Sequence, residues 1–392
     1  LPLVISVIVL FLQPITGLVR IKIIKRAKNK ISSFKNLTVI GITGSYGKTT
    51  TKDFLKTILS EKFNVLATNE HQNSEMGITQ SIFKELNDNH QIFIAEMGAY
   101  DKGGIKTICD LIKPRIGIVT GVNEQHLALF RTMERLLSAE GGLELLAALS
   151  RYNRGTSTLS GLNNGLILVN GENEYCNNLY NQAKIKKIAY YYKNLENLEI
   201  KRDSISFLLS GQKVSAKILG KHNVLNLLAA IHTAKELGMN NEEIIRGIAK
   251  ITEKQSAFTI LKSKSGINII DSTYSANPDG VMADLDYLKL FPGKKIIIMP
   301  CLIELGKEAR TVHEKIGQKI AEVCQFAVIT AEEYFKEIKN GAISNIMQTE
   351  NLISSEDANF IAEKIGFFAK ADDSILLEGR ISESIINKIK EI

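Results

Sequence analysis

The chain has 392 residues, of which 44% are hydrophobic and 23% charged, and this balance excludes collagen, pervasive disorder and a protein made of membrane spans throughout. Its length is that of two or three domains. The formal net charge of +7 would suit a nucleic-acid-binding protein. However, nine of the 49 basic residues precede Asp53, the first acidic residue, which leaves residues 53–392 with 40 basic and 42 acidic side chains. The positive charge therefore belongs to the N-terminal segment, and we predict no nucleic-acid partner.

The N-terminal segment combines an apolar run with a basic one. Residues 1–19 carry no charged side chain, and residues 20–30 carry six basic residues and no acidic one. A helix that spans a bilayer needs about 17–25 mostly apolar residues, and flanking Lys and Arg favour the cytoplasmic side and anionic headgroups. We predict a membrane anchor over residues 1–19 and a basic juxtamembrane arm up to residue 35, with the following domains at the cytoplasmic face of the cell membrane.

Two alternatives to the anchor remain open. A signal peptide would carry its positive charge before the apolar run and would end in a cleavage site with small residues. A buried core helix is the second alternative, because Pro2, Gln13 and Pro14 interrupt the apolar run.

From residue 36 the sequence alternates short β-branched runs with helix-like stretches, which predicts a mainly parallel sheet covered by helices. Two alternating runs around Ser210-Gly211 predict a hairpin within residues 198–219, and the polar segment 151–165 predicts a surface loop. Strands are predicted at residues 37–43, 91–97, 115–122 and 165–170, and helices from Thr50 and at about 223–237 and 242–250.

A second α/β series follows a boundary near residues 253–258. We therefore predict two α/β domains, residues 36–254 and residues 255–392, after the anchor and arm of residues 1–35. In the last domain, strands are predicted at residues 267–274, 294–300, 326–330 and 374–379, and helices after Pro278, near residues 312–323 and 357–370, and at the C-terminus.

The segment GITGSYGKTTT, residues 41–51, lies between a predicted strand and a predicted helix. A glycine-rich turn at such a place lets backbone N–H groups converge on phosphate oxygens. Lys48 is expected to reach the β- and γ-phosphates, and Thr49 to hold Mg²⁺. Ile42 stands where the strict motif has glycine, so a glycine-rich turn without a nucleotide is the alternative. The nucleotide-binding residues predicted here are Thr43, Gly44, Ser45, Gly47, Lys48, Thr49 and Thr50.

Further motifs follow the phosphate loop in order: TNEHQNSEMGI (68–78), AEMGAYDKGGI (95–105), VNEQHLALF (122–130), GKHNVLN (220–226), DSTYSANPDG (271–280), IELG (303–306) with His313, and LLEGR (376–380). With them the chain resembles the Mur ligase family from about residue 37 to the C-terminus. Within that family it is most similar to the branch that adds D-alanyl-D-alanine. The resemblance implies an α/β fold with a P-loop central domain and a Rossmann-like C-terminal domain, and it implies ATP and Mg²⁺ as cofactors.

The activity implied by the resemblance fits the residues. A carboxylate is a poor electrophile, so ATP must convert it into an acyl phosphate, which an incoming amine attacks while the protein positions the groups and neutralises charge. The resemblance implies an ATP-dependent ligase of peptidoglycan synthesis, with a muramoyl peptide and D-Ala-D-Ala as substrates. A related ligase acting on a folate or a polyamino acid, and a nucleotide-binding scaffold without catalysis, are the alternatives.

Polar residues outside the phosphate loop also receive roles from the resemblance. Taken alone, each could instead be a surface carboxylate, a structural histidine or a helix N-cap. The implied roles are metal binding for Glu96 and His126, substrate contact for Asn73, adenine contact for Asn223 and Asn226, ribose contact for Asp271, and a place near the reacting groups for Asn277.

One departure from the family concerns the second metal ion. The family usually carries a carbamoylated lysine where this chain has Glu140. We hypothesise that the Glu140 carboxylate ligates the metal directly, without bicarbonate-dependent modification. The predicted metal ligands are then Thr49, Glu96, His126 and Glu140, and the predicted catalytic residues are Lys48, Glu96, His126, Glu140 and Asn277.

Other departures concern substrate binding. QSAF, residues 255–258, lacks the arginine usual there, Ser272 replaces one acid of a pair, and Gly104 stands where an acid is common. The family's usual N-terminal domain, which grips the UDP end of the substrate, has no room in residues 1–36. This leaves open whether the UDP group is recognised, and a membrane-proximal or lipid-linked muramoyl substrate is the alternative.

Overall fold

The structure, a computed structural model, describes residues 2–99, 101–151, 165–256, 258–274, 276–345 and 347–392, with the backbone alone at residues 2–9, 11, 12, 14 and 15. Apart from its two end residues, the surface loop predicted at residues 151–165 lies outside this description. The chain divides into two compact units. The first comprises Leu1–Val122, Glu134–Tyr190 and Ala229–Gly247, and the second comprises Asn123–Met133, Tyr191–Leu228 and Ile248–Ile392.

Helices and strands alternate over the first half of the chain, because buried β-branched runs are separated by stretches with apolar side chains at helical spacing. The strand of residues 38–43 is buried at every position, as expected for the centre of a parallel sheet. In chain order these elements are α1 (Pro2–Ser33), β1 (Thr38–Thr43), α2 (Lys48–Leu59), β2 (Val65–Ala67), α3 (Glu75–Lys84), β3 (Ile92–Glu96), α4 (Gly104–Ile112), β4 (Ile116–Val119), α5 (Leu127–Phe130), α6 (Met133–Ala139), α7 (Leu143–Ser150), β5 (Leu166–Asn170), α8 (Glu174–Gln182) and β6 (Lys186–Tyr190).

The strands of the first unit form one parallel sheet in the order β2-β3-β1-β4-β5-β6. The predicted parallel α/β fold is therefore confirmed. Strand β1 lies between β3 and β4, so the connections to its two sides run in opposite directions along the sheet. Ligands of open α/β sheets bind at such a point, outside the carboxyl ends of the strands. The segments that follow β1, β3 and β4 are thus placed to form a site.

The rest of the chain forms a small antiparallel sheet, two helices and a second α/β series. The hairpin predicted around Ser210-Gly211 is confirmed, with a third strand before it. In chain order the elements are β7 (Glu196–Ile200), β8 (Ile205–Leu209), β9 (Gln212–Ala216), α9 (Asn223–Glu236), α10 (Asn241–Ala249), β10 (Thr259–Lys262), β11 (Asn268–Ser272), α11 (Pro278–Leu288), β12 (Lys295–Met299), α12 (Ala309–Val323), β13 (Phe326–Ile329), α13 (Phe335–Ser344), β14 (Leu352–Ser354), α14 (Ala358–Phe368), β15 (Ser374–Glu378) and α15 (Glu383–Glu391).

The large sheet of the second unit has the order β10-β11-β15-β12-β13-β14. Strand β10 is antiparallel to β11, and the other pairs are parallel. Strands β11, β12, β13 and β15 were predicted, as were helices α11, α12, α14 and α15. Strands β10 and β14 were not predicted, because they have only four and three residues, and helix α13 was also not predicted.

Helix α1 runs without interruption through both the predicted anchor and the basic arm. Its second half packs against other elements of the first unit, since Ala27 and Ile31 are buried and the Lys30 ammonium donates to the Ile82 carbonyl at 2.7 Å. Arg20 forms an ion pair with Glu75 at the start of α3. Among the described residues, no helix combines the length and the hydropathy needed to cross a bilayer. The membrane-spanning helix predicted over residues 1–19 is therefore not supported, and part of the basic arm contacts other residues of this chain.

Candidate active site

The phosphate loop connects β1 to α2 at the carboxyl edge of the first sheet. Gly44 has φ 136° and Gly47 has φ 75°, conformations that glycine adopts at little cost. A Cβ on Gly44 would lie 2.4 Å from the Thr120 hydroxyl oxygen, so a side chain there would push the loop away from β4. The Ser45 N–H donates to the Gly121 carbonyl at 2.7 Å, which anchors the loop. The loop is thus shaped as the sequence predicted, with backbone amides at a helix N-terminus.

Lys48 begins α2 and folds back over this loop. Its ammonium donates to the carbonyl oxygens of Gly44, at 2.5 Å, and Ser45, at 3.3 Å. A phosphate bound at the loop would therefore lie next to a positive charge, as the motif requires. Thr50 is buried in the first turn of α2, and Thr43, also buried, has a hydroxyl without a hydrogen-bond partner among the described residues.

Glu96 is the last residue of β3 and lies beside the first turns of α2. The Thr49 hydroxyl donates to Glu96 Oε1 at 3.2 Å, and the Lys52 ammonium donates to Glu96 Oε2 at 3.1 Å. The Asn73 amide is 3.5 Å from Oε1. Three predicted residues, Thr49, Glu96 and Asn73, are thus brought together. A hydroxyl and a carboxylate oxygen side by side are ligands of the kind Mg²⁺ prefers, so these residues fit the predicted ion.

Glu140 follows α6 and is buried in the same unit. Its Oε2 accepts a hydrogen bond of 2.8 Å from the Ser45 hydroxyl, which joins it to the phosphate loop. Within the described ranges, no three His, Cys, Asp or Glu side chains come together as a metal-binding group. The four predicted ligands thus lie in two sets: Thr49, Glu96 and Glu140 belong to the first unit, and His126 to the second.

In the second unit, His126 faces the loop that carries the IELG motif. Its Nε2 is 3.6 Å from Glu304 Oε2, and both residues have φ 67°, a left-handed conformation that costs free energy in residues other than glycine. The buried His313 ring fixes this loop, because its Nε2 accepts from the Leu302 N–H at 2.9 Å and its Nδ1 lies 2.6 Å from the Ala309 carbonyl. Burial lowers the pKa of His313, so the ring is held neutral as an acceptor.

Asn277 caps α11, its side chain accepting from the Gly280 N–H at 3.1 Å. The Asn123 amide donates to Asn277 Oδ1 at 2.9 Å and to Asp279 Oδ2 at 3.1 Å. Burial raises the pKa of Asp279, and the hydrogen bond from Asn123 opposes that shift. Asn123 therefore ties the segment before His126 to the start of α11.

The remaining predicted residues all have protein partners. Asn223 is fully buried, donates to the carbonyls of Leu219 and Ser256, and accepts from Asn226. Asp271 pairs with Lys390 at 3.2 Å and accepts from the Thr273 hydroxyl. These bonds tie the start of α9 to Leu219 and Ser256, and they differ from a helix N-cap, whose side chain accepts from a backbone N–H. Contact of Asn223 and Asn226 with adenine stays a prediction.

No role was predicted for Lys52, Asn123 or Glu304. Lys52 follows Lys48 by four residues in one helix, so both point to similar sides of α2, and this spacing was a usable signal. The contacts of Asn123 and Glu304 join segments more than 150 residues apart, and no local pattern predicts such contacts.

Comparison with known proteins places both halves of the chain in one family. Residues 42–234 match the Mur ligase middle domain, and residues 258–381 match the family described as Mur ligase, glutamate ligase domain. The UDP-N-acetylmuramoyl-tripeptide--D-alanyl-D-alanine ligase of Borreliella burgdorferi is 29% identical over 92% of this chain and 74% of its own length. The Bacillus subtilis protein of that name is 26% identical over 88% and 76%.

Solved structures show the same fold. MurF from Acinetobacter baumannii superimposes with a TM-score of 0.81 at 23% identity, over 94% of this chain and 79% of that one. MurF ligase from Thermotoga maritima, solved in complex with ADP, gives a TM-score of 0.76 at 23% identity, over 94% and 83%. At this level of identity the likeness concerns the fold alone.

Proposed function

This chain belongs to the Mur ligase family, and we propose that it is an ATP-dependent ligase that adds D-alanyl-D-alanine to a muramoyl peptide in peptidoglycan synthesis. The observation that carries the proposal is the phosphate loop with Thr49 hydrogen-bonded to Glu96 at the carboxyl edge of a parallel sheet. Curated relatives that match most of the chain have names describing this reaction.

The residues of the first unit serve phosphoryl transfer to a carboxylate. The loop amides and Lys48 hold the phosphates, while Thr49 and Glu96 hold Mg²⁺. The ion, when bound, neutralises negative charge on the phosphates. Asn73 lies beside Glu96, so we propose that it orients the acceptor carboxylate. Because acyl phosphates hydrolyse readily, the chain must also exclude water from this site.

The other site assignments stay proposals with the roles implied above. His126 and Glu140 complete the metal system, and Asn277 lies near the reacting groups. Thr43, Gly44, Ser45, Gly47 and Thr50 contact the nucleotide, as do Asn223, Asn226 and Asp271. We also propose the domain division 36–254 and 255–392, each part of which contains one of the two segments that match a family model.

The function is tested by phosphate release from ATP in the presence of Mg²⁺. We expect phosphate release only when a UDP-linked or lipid-linked muramoyl tripeptide and D-Ala-D-Ala are both present. The product should then have the mass of the two substrates minus one water molecule. Release with a folate or polyamino acid instead would establish the related-ligase alternative. If no acid supports phosphate release but the protein still binds ADP, the chain is a nucleotide-binding scaffold without catalysis.

Glu140→Ala is expected to lower the ligation rate by roughly 10–100-fold, as for groups that bind or orient metal ligands. Ser45→Ala is the matched variant, because it removes the Ser45–Glu140 hydrogen bond but keeps the carboxylate. If Glu140 binds metal, Glu140→Ala loses more activity than Ser45→Ala and also raises the Mg²⁺ requirement. Full activity in Glu140→Ala, with equal or higher activity in Glu140→Lys, would overturn the hypothesis.

We further propose that α1 holds the enzyme at the cytoplasmic face of the membrane. Leu18 and Ile21 are 70% and 64% exposed, and the exposed basic residues Lys22, Lys25 and Arg26 follow them. Such a segment combines apolar burial with attraction to anionic lipids. The full chain should float with vesicles containing anionic phospholipid, and Leu18→Ser/Ile21→Ser should weaken flotation. A chain that never floats would contradict this location.

A further inference from the structure

Lys52 is a lysine buried in the interior of the first unit. Its side chain is 2% exposed, and a lysine is almost never buried to this extent unless it is paired with an anion. The ammonium is 3.1 Å from Glu96 Oε2 and 3.9 Å from Asp53 Oδ1. Since the Glu96 side chain is itself 7% exposed, the two charges form a buried ion pair.

The two oxygens of Glu96 have different neighbours. Oε2 accepts from Lys52, whereas Oε1 faces the Thr49 hydroxyl at 3.2 Å and the Asn73 amide at 3.5 Å. The ion pair thus fixes the carboxylate with Oε1 turned toward Thr49, the other proposed metal ligand. It leaves that oxygen as the one that Mg²⁺ can reach.

We propose that Lys52 is a positioning residue and the internal counter-ion of Glu96: it holds the carboxylate for Mg²⁺ and limits the affinity for that ion. This rests on the proposed function only in that Thr49 and Glu96 bind the Mg²⁺ that accompanies a nucleotide. In the metal-free protein, Lys52 balances the buried charge of Glu96. When Mg²⁺ binds, the ammonium and the ion share one carboxylate and repel each other.

The charge of Lys52 therefore has two measurable consequences. Lys52→Met leaves Glu96 buried without its counter-ion, and breaking a buried pair in this way is strongly destabilising. The same change removes the repulsion on Mg²⁺, which should bind at least tenfold more tightly, because the repulsion of two positive charges a few ångströms apart, even at an effective dielectric constant near 20, exceeds what a tenfold change in affinity requires. If Lys52 only filled space, Lys52→Met would leave the Mg²⁺ requirement unchanged.

The test compares the wild type with Lys52→Met, Lys52→Arg and Lys56→Met. Lys56 lies one turn further along α2 and is exposed, so Lys56→Met is the matched control. Thermal unfolding is followed with and without saturating Mg²⁺, and ADP binding is measured calorimetrically over a series of Mg²⁺ concentrations. We expect Lys52→Met to lower the unfolding temperature without Mg²⁺ and to recover part of this loss with Mg²⁺. We also expect it to need at least tenfold less Mg²⁺ for half-maximal ADP binding.

Lys52→Arg, which keeps the charge, should have a Mg²⁺ requirement near that of the wild type. Adding Glu96→Gln to Lys52→Met should restore much of the lost stability, because the unpaired charge is then gone. A Mg²⁺ requirement that rises in Lys52→Met, or that changes equally in Lys56→Met, would overturn the proposal. These measurements do not involve ligation. A result that overturns the counter-ion role would therefore leave the proposed substrate untouched, and the reverse also holds.

Discussion

Lys48→Met should lower the rate of ATP-dependent ligation by about a thousandfold, the loss typical of removing a cation that stabilises a transferring phosphoryl group. The Lys48 ammonium lies against the carbonyls of Gly44 and Ser45, so a phosphate at the loop would meet it directly. Methionine keeps most of the length of the side chain and removes only the charge and the donors.

The stability of Lys48→Met should differ little from that of the wild type, because the variant loses side-chain hydrogen bonds that are each worth about 1 kcal/mol. Steady-state phosphate release and thermal unfolding are therefore measured together, with Lys56→Met as the control on the same helix. A Lys48→Met enzyme that keeps a tenth of the wild-type rate would show that another cation neutralises the phosphate.

The phosphate loop was predictable because its constraints are local. A buried β-branched strand, glycines with positive φ, and GKT at the start of an amphipathic helix occupy neighbouring positions in the sequence. The location of Glu96 near this loop was also predictable, since the carboxyl ends of parallel strands lie at one edge of a sheet. Its pairing with Lys52 was not predicted, because a lysine in a helix is usually solvated and only tertiary packing buries it.

Other features depend on contacts that the sequence does not encode locally. Strands β2 and β14 have three residues each, too few for a period of two to be recognised. The apolar run of residues 1–19 matched a membrane span by composition alone, whereas the structure continues the same helix into a segment where Ala27 and Ile31 pack on protein. Asn223 matched a nucleotide contact by motif, but its side chain bonds to Leu219 and Ser256.

The second unit contains a buried pair of carboxyl groups, Glu378 and Asp284. Glu378, at the end of β15, is 1% exposed, and Asp284 on α11 is 4% exposed. Burial, together with the charge of Asp284, raises the pKa of Glu378 well above its ordinary value. Ser272 donates to Asp284 Oδ2 at 2.7 Å, while Glu378 Oε2 and Asp284 Oδ1 have no hydrogen-bond partner among the described residues.

No lysine or arginine in the described ranges forms a salt bridge with either acid, and His222 Nδ1 is 3.8 Å from Asp284. Burial lowers the pKa of His222, which disfavours its positive charge. The pair is therefore most stable with a proton on Glu378. Unfolding releases this proton at any pH between the ordinary pKa of glutamate, about 4.3, and the raised pKa of the folded state.

Because the folded state binds more protons than the unfolded state in that range, stability falls as pH rises from about 5. Glu378→Gln mimics the protonated acid and gives Asp284 an N–H donor. We expect it to be more stable than the wild type at pH 9 by at least about 1.4 kcal/mol, the free energy of one pKa unit, because only the wild type releases a proton on unfolding, and to differ little at pH 5. Glu363 lies on the exposed face of α14, so Glu363→Gln should leave the stability unchanged at both pH values.

Thermal unfolding of the full chain between pH 5 and pH 9 distinguishes this outcome from its opposite. About 1 kcal/mol corresponds to a shift of roughly 2–4 °C for a unit of this size, well within the precision of the measurement. Asp284→Asn should also raise the stability at pH 9, because it removes one charge from the pair. If the wild type gained stability toward pH 9, or if Glu378→Gln were destabilising there, the Glu378 carboxylate would have to be charged and compensated in the folded protein.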